Sequence, residues 1–283
     1  MKKLLIIALL LLLVIFINGI NRGFSDDITI IAIDKETVEQ IGPYPFSRDK
    51  YADFIDLIYS EYSPKCVYFN LLIYQYQKGS MESDTLLFNA INGKQNIFFS
   101  AKVSDTKVDH SYYKKSQFNE IDFKKTWVVK GAIFPLKELA QNGAYASISD
   151  VGLNNKAIVE SMPTVVQIDN NKYLSTPLFL TIIYLDIAPQ ELFSVRRIEY
   201  HNKKIKTDKN GWFEIEFNHE FAKYSYYDIM NKKVKKEFID QRIIMLGIDF
   251  PELENYLRVN DNKSIAGVEV IANATQTMID QLR

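Results

Sequence analysis

The chain has 283 residues, 47% hydrophobic and 24% charged, a composition that supports a packed core and excludes a disordered polypeptide. With 34 Lys and Arg against 35 Asp and Glu, the net charge is −1, so no global field draws it to nucleic acid. A single cysteine, Cys66, excludes an internal disulfide, and the three histidines, His110, His201 and His219, lack metal-ligand spacing; no metal or cofactor is expected.

Lys2 and Lys3 precede an unbroken apolar run from Leu4 to Ile17, the charged and apolar regions of an export signal. No Ala-x-Ala-like cleavage site follows, and no cysteine for a lipid anchor. The segment 1–25 is therefore expected to be an uncleaved signal-anchor, a single membrane helix holding the protein in the inner membrane. The positive-inside rule then places residues 26–283 outside the cytoplasm, in the periplasm. The next most apolar stretch, Pro177 to Leu185, is too short to span a bilayer.

Beyond the signal, Ile28 to Asp34 is a β-branched run suited to a strand covered on both faces. Asp34 is placed to cap a short helix over 35–41, which Gly42 stops. After Pro43-Tyr44-Pro45-Phe46, Ser47 stands before a helix whose apolar face is Tyr51, Phe54, Ile55, Ile58 and Tyr59. A second buried strand runs from Cys66 to Ile73. A helix over 83–91 directs Leu86, Leu87, Ala90 and Ile91 inward, and a strand follows at 97–101. Residues 103–128 show no period and read as a surface excursion. Short strands at 144–148 and 164–168 lead into a helix over 174–185. Residues 196–217 predict a hairpin turning at Asp208–Gly211, with Phe213, Ile215 and Phe217 facing inward. Another strand spans 242–247. The last helix starts near Ala266 and presents Val268, Ile271, Ala272, Thr275, Met278, Ile279 and Leu282 on one stripe. The fold class this implies is α/β: a single domain with a mixed, mostly parallel central sheet flanked by helices, preceded by the N-terminal membrane helix.

Three stretches give the chain a family likeness. They are Ile31-Ala-Ile-Asp34 with Gly42-Pro-Tyr-Pro-Phe-Ser-Arg48; Val67-Tyr-Phe-Asn-Leu-Leu72 with Asp84 and Leu86; and Ile243-Ile-Met-Leu-Gly247 with Gly267-Val-Glu-Val-Ile-Ala-Asn273-Ala. In this order and spacing they resemble the type-two CHASE sensory domain, an extracellular module found ahead of bacterial cyclases and kinases. The likeness implies a sensor that binds a small ligand and acts on a membrane signalling partner. The chain departs from the pattern at Asn70, where the family usually has aspartate, at Asn154–Glu160, which lack its acids and arginine, and at Pro251–Glu254, which replace its Thr-Pro. It also ends at Arg283, where family members usually continue into an output domain, so a sensor without its own output is expected.

Asp34, Arg48 and Asn70 are the candidate ligand-binding residues, because open α/β sheets bind ligands at the carboxyl ends of their strands. Arg48 would read an anionic group on a small polar ligand. The alternative is structural: Asp34 caps a helix, Arg48 pairs with it, and Asn70 closes a loop. Glu252 and Glu254 read as solvated surface acids. No Gly-x-Ser-x-Gly elbow, phosphate loop or dinucleotide fingerprint is present, and no enzyme activity is expected. The competing function is a non-catalytic envelope structural or assembly protein using the same fold as an interaction platform.

Overall fold

The structure, a computed structural model, describes residues 25–106, 110–254 and 256–283. Strands β1 (Ser25–Ile33), β2 (Cys66–Phe69), β3 (Ile97–Ser104), β4 (Gly131–Ile133), β5 (Tyr145–Ile148), β6 (Phe221–Ser225) and β7 (Ile243–Ile248) form the central sheet. Its order is β6-β1-β7-β2-β3-β5, parallel throughout, with β4 antiparallel on the far end of β3. The sheet is thus mixed and mostly parallel, and the body is one α/β domain.

The period-two alternation of each strand feeds two cores. Ile28, Ile30, Tyr68, Phe98 and Met245 face one side, while Ile31, Ile33, Phe69, Phe99 and Leu246 face the other. Helices α1 (Lys35–Ile41), α2 (Arg48–Glu61), α3 (Met81–Ile91), α4 (Lys137–Gln141) and α7 (Tyr226–Met230) belong to the second side. There Phe54 meets Phe69 edge-on, with ring centroids 5.9 Å apart. Helices α5 (Thr176–Tyr184) and α8 (Gly267–Leu282) cover the first side, with the short α6 (Pro189–Leu192) beyond them.

Several expectations are corrected. The strand expected over 66–73 stops at Phe69. Leu86 points to solvent at 47% exposure, and the helix instead buries Ser83 and Asp84. The stretch expected to be a surface excursion is, over residues 118–123, a cover: Phe118, Ile121 and Phe123 enter the core. Their spacing lacks a period because an irregular backbone, not a helix or strand, delivers them. The hairpin turns at His201-Asn202, whose φ angles of 47° and 67° lie in the left-handed region that a two-residue turn matching the strands' right-handed twist requires. The Asp208–Gly211 turn instead sends Trp212–Glu214 onto Val159–Pro163. Helix α8 is buried almost all round, because it lies between the sheet and a second layer made by α5 and Lys203–Ile205.

The expected membrane helix falls on residues outside the described ones, except that Ser25 already opens β1. No helix among the described residues is long and apolar enough to cross a membrane.

Candidate functional site

The strands' carboxyl ends bring together side chains that are far apart in the chain. Asn70 follows β2, Lys102 lies in the last half of β3, Ser149 and Asp150 follow β5, and Glu254 sits in the loop after β7. With Gly267, the first residue of α8, they line a cleft of about 460 Å³ whose apolar walls include Leu253, Leu257 and Ile271.

Asn70 is held from below. Its backbone N–H donates to the Leu246 carbonyl at 2.8 Å, and its Oδ1 accepts from the Tyr68 hydroxyl at 3.0 Å. Tyr68 is fully buried and shares a 2.6 Å hydrogen bond with Ser100. Burial pushes its pKa up to about 12, against hydrogen bonds from Ser100, Thr176 and Ser149, so it stays a neutral hydroxyl. With Oδ1 occupied, Asn70 turns its Nδ2 toward Gly267. A Cβ on Gly267 would stand 3.3 Å from that nitrogen and 2.8 Å from Glu254 Oε1, so glycine lets both side-chain ends approach the start of α8 without giving way.

The cleft's charges are set by burial. Glu254 is raised above its ordinary 4.5 chiefly by desolvation, with Lys102 opposing and Asp249 adding to the shift. Asp150 is raised by desolvation too, although its Oδ2 accepts from the Val103 N–H at 2.7 Å and Lys102 acts against the shift. Because the folded-state pKa of Glu254 exceeds its unfolded value, the folded state binds its proton more tightly. Stability therefore falls as pH rises from about 4.5 through the raised value, and the loss persists at neutral pH. Glu254→Gln is expected to melt higher than the parent at neutral pH and to match it well below pH 4.5. Equal shifts in melting temperature at both pH values would contradict this.

Beside the cleft, Lys223 Nζ donates to Asp249 Oδ2 at 2.6 Å and to Glu269 Oε1 at 2.5 Å, and Tyr256 donates to Asp249 Oδ1. One lysine on β6 thus ties the loop after β7 to the first turn of α8. Desolvation works against its charge, but the two carboxylates outweigh it and raise its pKa.

Of the three residues singled out in the sequence, only Asn70 lines this cleft. Asp34 is the N-cap of α1, accepting from Thr37 N at 2.9 Å, Thr37 Oγ1 at 2.7 Å and Ser225 Oγ at 3.0 Å. Arg48 lies 3.7 Å from Asp84 Oδ1, not against Asp34, and its own N–H donates to Gln77 Oε1. β7 separates β1 from β2, so neighbours in the chain are not neighbours in the sheet. Glu254 was expected on the solvated surface and is half-buried, unlike the exposed Glu252. Lys102, Asp150 and Lys223 gave no signal, since nothing local in the chain shows that they meet Asn70, Glu254 or Glu269 in space.

Among the described residues no group of three or more His, Cys, Asp or Glu side chains is arranged to hold a metal ion. Cys66 is buried, and desolvation pushes its thiol well above the ordinary range, which leaves it unreactive.

The sequence model of the CHASE2 domain matches residues 9–283, nearly the entire chain. The chain belongs to the CHASE2 domain family. CHASE2 domains are extracellular sensory domains. No curated protein and no solved structure matches the chain. In this CHASE2 domain the Gly267-Val-Glu269 stretch does two things: Gly267 admits Asn70 and Glu254 to the cleft, and Glu269 takes Lys223.

Proposed function

We propose that this CHASE2 domain is a membrane-anchored, extracytoplasmic sensor that binds a small polar ligand in the cleft at the carboxyl ends of β2, β3 and β5. Lys102 and the Asn70 amide would read an anionic group on the ligand, and the N-terminus of α8 favours the same charge. Asp150 and Glu254, whose ionisation burial disfavours, would donate from their neutral form or take a cationic group. The segment from Leu4 to Ile17 would anchor the chain in the inner membrane, where it meets a signalling partner. The role assigned to the cleft in this reading is binding; Ser149 Oγ, the hydroxyl in its lining, donates to the Ala101 carbonyl at 3.3 Å.

The observation that carries this reading is the course of α8. Its first residue lines the cleft, and the residue after its last turn, Arg283, donates to Asp27 Oδ1 at 2.7 Å near the start of β1. Ser25 and Gln276 join the same contact at 2.5 Å. A helix of 16 residues, about 24 Å long, therefore links the cleft to the point where the proposed anchor joins the domain. Ligand that prefers one position of α8 shifts the population at both ends.

A thermal-shift screen against small anionic and zwitterionic metabolites tests the binding. Ligand at about 100 times its dissociation constant adds about 2.7 kcal/mol, a rise of several degrees. A hit lost in Lys102→Ala, an exposed residue whose replacement leaves the fold intact, supports the cleft. A hit unaffected by Lys102→Ala and by Asn70→Ala places binding elsewhere and refutes it.

A further inference from the structure

A second groove, separate from the cleft, holds the domain's exposed aromatic rings. The chain has 17 Tyr, 18 Phe and 2 Trp. Among the described residues, the aromatic side chains that remain exposed are Tyr74 at 46%, Tyr76 at 48% and Tyr112 at 44%. All three line one groove of about 280 Å³ together with Lys137 and Glu138. Leaving such rings in water forgoes burial that the rest of the fold takes up, and their convergence marks an interaction site.

The groove is built on a fixed floor. Tyr113 and Phe134 stack beneath it with centroids 5.5 Å apart, and the Tyr113 hydroxyl donates to the Leu136 carbonyl at 3.0 Å. The Leu136 N–H donates to the Ile73 carbonyl at 2.8 Å, which fixes the Tyr74–Tyr76 loop against the start of α4. Glu138 Oε1 accepts from the Tyr76 hydroxyl at 2.6 Å, while its Oε2 is buried with no hydrogen-bond partner. Lys137 Nζ stands 5.6 Å from the Tyr112 ring centroid.

We propose that this groove binds a sugar ring of a glycan. A pyranose offers an apolar C–H face to the tyrosine rings and hydroxyls at its edge, which donate to Glu138 Oε1, the oxygen at the exposed Tyr76 contact, and accept from Lys137. Both charges and all three rings then have a use. A polyproline peptide fits less well, because the Tyr76 hydroxyl that would serve its carbonyls is spent on Glu138. An organic ammonium fits less well, because Lys137 already occupies the cation position over Tyr112.

The test is calorimetric titration of the full chain with chitohexaose, cellohexaose and mannohexaose at up to millimolar concentration. At least one is expected to bind. Tyr74→Ala and Tyr112→Ala, both at exposed positions, should weaken that sugar about three- to tenfold without moving the melting temperature. Lys102→Ala should leave the sugar affinity unchanged, which keeps this result independent of the cleft. Absence of binding to all three sugars, binding that both tyrosine variants retain in full, or binding of a polyproline decapeptide in their place would overturn the proposal.

Discussion

Asp84→Ala is expected to destabilise the domain by about 3–5 kcal/mol, among the largest losses a single side chain gives. The Asp84 side chain is 2% exposed and faces an Arg48 that is 17% exposed, where α2 and α3 both begin. Their closest approach, 3.7 Å, is an ion pair without a hydrogen bond, and both Arg48 Nε and Asp84 Oδ1 lack hydrogen-bond partners. The attraction itself is thus modest, and the cost of the substitution comes from leaving Arg48, whose Nε is buried beside the Tyr51 ring, without its counter-charge. The backbone adds to it, since Asp84 Oδ2 accepts from Gln77 N at 2.8 Å. Replacing both charges, as in Arg48→Met with Asp84→Leu, should recover most of the loss. Urea unfolding of the parent, of Arg48→Met and Asp84→Leu singly, and of the double variant measures this directly. If the double variant is as unstable as the sum of the singles, the two charges are not coupled and the explanation fails.

Gly247→Ala is expected to cost about 1–3 kcal/mol or more, through overpacking. A Cβ at this position on β7 would lie 2.5 Å from Val268 Cβ and 2.9 Å from its Cγ2, a distance that requires α8 to move. Gly247 has an ordinary backbone conformation, so the effect is one of space and not of strain. Val268 follows Gly267, and moving it shifts the start of α8 at the cleft. Val268→Gly in the same chain, which removes the Cβ as well as both methyl groups, should relieve the clash, whereas Val268→Ala keeps the atom at 2.5 Å and should not. Circular-dichroism melts of the two singles and the double read the coupling; a Gly247→Ala protein with the parent's melting temperature would show that the helix can yield freely.

What could be read from the sequence follows the range of the forces involved. The strand at Ile28–Ile33, the Asp34 cap, the Gly42 stop and the inward face of α2 depend on near neighbours, and each lies where its pattern puts it. The sheet order does not. β7 inserts between β1 and β2 because of pairings more than 170 residues apart in the chain, such as Cys66 with Ile243. That insertion puts a strand between Asp34 and Asn70, which the chain order alone does not show. Helix α8 carried a single apolar stripe by pattern, yet Asn273, Gln276 and Thr277 are buried as well. Their side chains hydrogen-bond to Glu269 O, Asp27 and Asn273 O, which lets polar residues lie inside a second layer. Lys102, Asp150 and Glu254 converge only when three strand ends and a loop meet, so no spacing in the chain announces them.

Hydrogen–deuterium exchange with and without the ligand found by the thermal-shift screen tests the central claim most directly, that the cleft is where the signal enters and α8 carries it. The account predicts slower exchange at residues 249–254 and at the first turn of α8, together with a change at 25–28 and the last turn of α8. Protection confined to a surface remote from the cleft, with both ends of α8 unaltered, would contradict it.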